Sequence, residues 1–209
     1  MAGLTHPAGY DAPRMSKSST LRATALLIHG MGGSPAWWNP LLPALERIGL
    51  SALPLRLPSL EDAGPERWRD EVLARISEPP VILIGHSLGA AVCLEVARSK
   101  PVEDLVLLSC PPFLADFTPE PPPHTGLSAA AIKRVERFLR AACDNAPQIS
   151  TRSIHFVGSS DRWVPVEQAR RLPFPLDVIP GTGHGLNRSR RLARQLVEHL
   201  LQFRKVQHR

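Results

Sequence analysis

Short runs of apolar residues alternate along the chain with longer stretches in which apolar positions recur every three or four residues. The short runs lie at 23–28, 51–55, 80–84, 105–109, 153–157 and 175–179. Each has the length of a strand, and several are nearly all apolar, as strands covered on both faces of a sheet must be. In the longer stretches Trp68, Val72 and Ile76 lie four apart, and Ile132, Val135, Leu139 and Ala142 follow a three-and-four spacing. Leu192, Leu196, His199 and Phe203 do the same, so each set predicts an amphipathic helix. A further helix is expected over 39–48, capped by Asn39 with Pro40 at its first position, although Pro43 sacrifices an early backbone bond. The alternation predicts an α/β fold: an open, mostly parallel sheet of about six strands, wound right-handedly with helices on both faces. Functional residues in such sheets gather at the carboxyl ends of the strands.

Composition narrows the class. The 209 residues are 43% hydrophobic and 21% charged, which suits one sizeable core and argues against disorder or a coiled coil. We read a single domain over 21–209 behind a loose arm over 1–20, with no internal repeat. Proline is the outlier, at 22 residues against a usual ~5%. Its one cluster, Pro119 and Pro121 to Pro123, falls in 110–127, which reads as a short, stiff rim and not a domain-sized lid. No stretch approaches the ~20 apolar residues of a membrane span, and the first residues lack the apolar run of a secretory signal. Cys93, Cys110 and Cys143 form no CxxC pair, which argues against a disulfide framework and for a reducing, cytoplasmic setting.

The net charge of +6 raises the question of a nucleic-acid partner. The excess is uneven: residues 1–104 carry 10 basic and 11 acidic groups, residues 105–209 carry 15 and 8. Much of it sits near the last predicted helix, at Arg188, Arg190, Arg191, Arg194, Arg204, Lys205 and Arg209. No nucleic-acid motif accompanies it, and one Tyr and six Phe offer little for base stacking. A solvated helix face is the favoured reading.

The chemistry-bearing segment follows the third predicted strand. Val81 to Ile84 runs into Gly85-His86-Ser87-Leu88-Gly89, and a helical pattern follows at once. This is G-x-S-x-G in strand–turn–helix context, where a strained turn lifts the serine hydroxyl out of the sheet edge. Small neighbours are required, and Gly85, Gly89 and Ala90 comply. The plainer alternative is a glycine-rich turn that merely packs tightly. His86 reads as a satisfied structural histidine inside the turn.

With LLIHGMGGS, IGHSLGA, FVGSSDRWVP and GTGHGLN in this order, each after a predicted strand, the chain resembles the α/β-hydrolase family over nearly all of 20–205. The resemblance implies an α/β-hydrolase fold with a minimal cap, and a serine hydrolase that cleaves carboxylic esters through an acyl-serine intermediate. Ser87 would be the nucleophile. Of eight histidines, His6 and His208 lie in the tails, His155 in a strand, His199 in a buried stripe and His124 in the proline-rich segment. The family uses the position of His29 structurally. His184, in a glycine-rich loop after the last strand, remains as the base that accepts the serine proton. The acid that orients it is expected at Asp161, at the end of the fifth strand, with Asp116 as the runner-up. The family's oxyanion donors map to the backbone N–H groups of Met31 and Leu88.

Trp37, Trp38, Phe113, Phe117, Trp163 and Leu186 fall on loops expected near Ser87 and are candidates for an apolar substrate pocket, though each is equally suited to a core. No cofactor or metal is expected: H-E-x-x-H and paired cysteines are absent and the histidines are scattered. The expected partner is a small-molecule ester or thioester, with no nucleic acid and no membrane span, and the oligomeric state is left open. A thioesterase, amidase or acyltransferase would use the same parts. Two other classes remain: a non-catalytic binding module on a hydrolase scaffold, disfavoured by three intact catalytic positions, and a basic nucleic-acid binder, which steep salt dependence of DNA affinity would reveal.

Overall fold

The computed structural model describes residues 23–76, 81–112 and 126–207. The expected arm over 1–20, most of the proline-rich rim, Phe113, Asp116 and Phe117 lie outside the described residues. Six strands form one sheet: β1 (Thr24–Ile28), β2 (Ser51–Pro54), β3 (Val81–His86), β4 (Asp104–Leu108), β5 (Ser153–Gly158) and β6 (Leu176–Ile179). Every pairing is parallel and the order is β2-β1-β3-β4-β5-β6. Each expected strand is present within one or two residues of its expected ends.

Helices between the strands cover both faces. Helices α2 (Leu60–Arg75), α3 (Leu88–Ser99) and α4 (Ala129–Asp144) pack with Leu26, Ile28, Leu83, Leu105 and Leu107 in one core cluster. On the other face α1 (Leu42–Arg47) and α6 (Arg190–Gln207) pack with Ala25, Leu27, Ile82, Ile84, Val106 and Leu108. Adjacent strand residues thus enter opposite cores, which is why the strands read as unbroken apolar runs. A single turn, α5 (Val166–Ala169), separates β5 from β6.

Two elements depart from expectation. The helix expected over 39–48 is a 3₁₀ turn, Pro35–Trp38, followed by the shorter α1. Asn39 is helical in backbone (φ −48°, ψ −39°) and its N–H donates to the Ala36 carbonyl, so it closes the first turn and cannot cap the next. Pro43 sits in the first turn of α1, where its missing N–H costs nothing. Helix α2 is broken at Gly64-Pro65: Gly64 has φ +69°, a conformation open to glycine, and the Trp68–Val72 stripe follows the break.

At the amino end of β4 the wholly buried Asp104 accepts from the Leu105 N–H (3.0 Å), from His199 Nε2 (3.1 Å) and from the Arg152 guanidinium. His199 therefore fills its place in the α6 stripe as a hydrogen-bond partner of Asp104. The arginines at 188, 190, 191 and 194 are exposed, the solvated face expected for them.

The chain moves from β1 outward to β2 and then returns to β3 on the other side of β1. That reversal opens a crevice at the carboxyl ends of β1 and β3, where open α/β sheets place their ligands. The His29–Gly33 loop leaves β1 there, and Ser87 leaves β3.

Candidate active site

Ser87 caps α3 with φ 54° and ψ −122°, a left-handed conformation that costs a non-glycine residue on the order of 1–3 kcal/mol. Its N–H is held by the Leu108 carbonyl at 2.9 Å, and its own carbonyl accepts the Ala90 N–H at 2.9 Å. The flanking glycines are steric necessities. A Cβ on Gly85 would lie 2.4 Å from the Gly89 carbonyl oxygen, and one on Gly89 would lie 2.3 Å from that of Ile28. Only glycine lets α3 leave so steeply across the ends of β1 and β3. The serine is half-buried.

Asp161 and His184 meet at the ends of β5 and β6. Asp161 Oδ1 accepts the N–H groups of Trp163 (3.0 Å) and Val164 (2.9 Å), which fixes the carboxylate within its own turn. The turn-capping role and the acid role therefore coexist in this residue. His184 Nδ1 lies 3.0 Å from Oδ2 and 3.2 Å from Oδ1. Burial alone would raise the Asp161 carboxyl. The His184 ring and the amide of Val164 outweigh burial and hold it below its ordinary value. The Ser109 hydroxyl, buried with no partner at full hydrogen-bonding distance, adds to this. With Asp161 ionised, Nδ1 carries the proton and Nε2 keeps a free lone pair.

The His184 loop is fastened at several points. A Cβ on Gly158, at the end of β5, would strike the Thr182 carbonyl oxygen at 2.4 Å, so the loop lies directly on that strand. His86 Nε2 donates to the His184 carbonyl at 2.9 Å, tying the loop to the residue that precedes Ser87. The His86 ring stacks on Trp37 at 4.1 Å, and Trp163 meets the His184 ring edge-on at 4.7 Å. Asn187 donates to the Trp37 carbonyl from the same loop. Sequence reasoning missed Asn187, a polar residue in a polar loop with nothing to mark it, and Ser109, whose φ of 47° leaves no trace in the sequence.

The expected residues are not all treated alike. Asp161 and His184 are in hydrogen-bonding contact, and His86 brings their loop to the Ser87 turn. The Ser87 hydroxyl itself makes no hydrogen bond among the described residues. The Met31 loop lies against that turn, since a Cβ on Gly30 would be 2.9 Å from Ser87 Cβ. Trp37 and Trp163 border the site. Trp38 and Leu186 do not: both are buried in the core between the sheet, α1 and α6, because the 3₁₀ turns that carry them aim them inward. His86 is half-satisfied, its Nδ1 buried without a partner. Cys93, Cys110 and Cys143 are buried and form no disulfide, and the Cys143 thiol donates to the Pro111 carbonyl at 3.1 Å. Among the described residues no cluster of three metal-ligating side chains occurs, and no helix is long and apolar enough to cross a membrane.

The model of the Alpha/beta hydrolase family matches residues 25–148, which include Met31, Ser87 and Leu88 but stop short of Asp161 and His184. A putative carbamate hydrolase RutD of Variovorax paradoxus (strain S110) is 36% identical over 97 residues, 40% of this chain and 36% of that protein. Protein phosphatase methylesterase 1 of Homo sapiens is 29% identical over 147 residues, 63% of this chain and 36% of that protein. The chain thus matches well under two thirds of the length of these curated relatives. The crystal structure of Paleococcus ferrophilus monoacylglycerol lipase superposes with a TM-score of 0.69 at 19% identity, covering 89% of this chain and 96% of that one. At that identity the likeness speaks for the fold.

Proposed function

The chain belongs to the alpha/beta hydrolase family, and from that premise we propose that it is a serine hydrolase cleaving carboxylic esters with small acyl groups. The observation that carries the reading is the pairing of buried Asp161 with half-buried His184, latched through His86 to the turn bearing Ser87. His184 Nε2 takes the hydroxyl proton as Ser87 Oγ attacks the carbonyl carbon. The ring becomes an imidazolium, which the Asp161 carboxylate stabilises without itself being protonated. Negative charge then develops on the carbonyl oxygen. The N–H groups of Met31 and Leu88 make no hydrogen bond among the described residues and are free to receive it. The imidazolium returns its proton to the departing alkoxide, leaving an acyl-serine. Water, activated by the same ring, releases the acid and restores Ser87.

Thioesters, amides and carbamates would be attacked by the same parts, and the names of the two relatives, a carbamate hydrolase and a methylesterase, keep carbamates and methyl esters within the substrate range to be tested. The test is hydrolysis of p-nitrophenyl acetate together with labelling by a fluorophosphonate. Both are expected in the wild type and lost in Ser87→Ala, with the fold retained by circular dichroism. Hydrolysis that persists in Ser87→Ala moves the chemistry to another group.

A further inference from the structure

Charge is distributed unevenly around the Ser87 crevice. The described segments 29–41, 87–90, 109–112, 159–165 and 180–191 follow the carboxyl ends of β1, β3, β4, β5 and β6. Histidines aside, their only ionisable residues are Asp161, Arg162, Arg188, Arg190 and Arg191. Asp161 is buried against His184, and the four arginines are exposed. Among the described residues none of these four side chains forms an ion pair or hydrogen bond, whereas Arg170 and Arg194 pair with Glu167 and Glu198 at 3.8 and 3.7 Å. The acids Glu61 and Asp62 start α2, on the opposite face of the sheet from α6, and Glu61 already accepts the Ser128 N–H at 2.8 Å.

Two of the arginines are tied closely to the site. Arg162 stands between two residues that touch the His184 ring, Asp161 at 3.0 Å and Trp163 edge-on at 4.7 Å. Arg188 follows Asn187, which donates to the Trp37 carbonyl, and Trp37 stacks on His86 beside Ser87. Arg190 and Arg191 open α6. A helix that follows a parallel strand runs back against it, so this end of α6 lies at the same rim of the sheet as Ser87. Free N–H groups make a helix start favour acids, yet α6 has none in its first turn. Arg190 and Arg191 thus add charge of the same sign as the helix end.

His184 protonates the leaving group, so the alcohol portion of a bound ester lies on the His184 side of the scissile bond. That is the side Arg162 and Arg188 border. We propose that these two arginines select esters whose alcohol portion carries a carboxylate or a phosphate, with Arg190 and Arg191 adding to the attraction; the inference rests on the serine-hydrolase reading above. A guanidinium suits either anion, because its planar fork meets two oxygens at once. Neither Arg162 nor Arg188 has to give up a partner among the described residues to do so.

The test compares kcat/KM for p-acetoxybenzoate, p-acetoxyphenyl phosphate and the neutral p-acetoxybenzamide, each read by acetate release. The ratio of two substrates on one variant is independent of how much of it is folded. Arg162→Gln and Arg188→Gln are each expected to lower the anion-to-amide ratio roughly threefold, and the double variant roughly tenfold, the range of exposed ion pairs. The larger fall, for carboxylate or phosphate, tells which anion is preferred. Arg47→Gln, which removes an exposed charge at the far end of α1, should leave the ratio unchanged. In the wild type the ratio should also fall between about 0.01 M and about 1 M NaCl, as the screening length drops from ~30 Å to ~3 Å. Wild-type ratios kept in the double variant, or an equal fall in Arg47→Gln, overturn the assignment and leave the serine chemistry standing. Unchanged ratios with duplex DNA bound by the wild type and released by the double variant also overturn it, and give the arginines to a nucleic-acid surface. Absence of Ser87-dependent turnover of all three esters overturns both readings.

Discussion

Acid should unfold this protein through two buried histidines that have nowhere to put a second proton. His155 lies wholly buried in β5, where its Nε2 accepts the Cys110 N–H at 3.0 Å and its Nδ1 has no partner. Protonating Nε2 would set one donor against another. His86, pressed between Trp37 and His184, already donates from Nε2 and finds no acceptor for a proton on Nδ1. Burial pushes both rings down to about 3, and for His86 the neighbouring His184 adds to the effect. In the unfolded chain each returns to ~6.5. The folded state thus binds fewer protons than the unfolded state between those values, and stability falls as pH drops below 6.5. At pH 5 each ring removes about 2 kcal/mol, and the pair about 4 kcal/mol, from the roughly 5–15 kcal/mol of a typical domain. His29, lowered by burial, acts in the same direction. Asp161 does not enter this window, because its depressed carboxyl withdraws stability only below the ordinary carboxylate range. Urea unfolding followed by circular dichroism at pH 7.5 and pH 5 measures the difference. His155→Gln retains an acceptor for the Cys110 N–H but cannot titrate, so it should lose about half as much on acidification. A wild-type loss below about 1 kcal/mol, or an undiminished loss in His155→Gln, would refute the account of these rings as uncompensated buried bases.

Three further outcomes are expected. Asp161→Asn should retain the fold but reduce kcat for ester hydrolysis by roughly 10³–10⁴, because the amide favours the wrong His184 tautomer; a loss under tenfold would remove Asp161 from the mechanism. Ser87→Gly should melt higher than Ser87→Ala by the equivalent of about 1 kcal/mol, since φ 54° suits only glycine; equal melting temperatures would show that the elbow stores no strain. Gly89→Ala should cost about 3 kcal/mol or abolish soluble expression, because its Cβ would meet the Ile28 and His29 carbonyl oxygens at 2.3 and 2.5 Å; near-native melting would mean that α3 can shift off β1.

The sequence by itself determined the layering of this protein. A strand buried on both faces is apolar at nearly every position, so 23–28, 80–84 and 105–109 announced themselves, and the three-and-four spacing of α4 and α6 marked the helices that cover them. It also determined where the chemistry would be sought, since G-x-S-x-G after such a strand has few other uses. What it could not contain was the direction of side chains in segments without a period. Trp37 and Trp38 are neighbours of the same type, yet one stacks on His86 and the other enters the core, because a 3₁₀ turn separates them by about a third of a revolution. The same limit hid the His86–His184 and Asn187–Trp37 contacts, which join residues 98 and 150 positions apart.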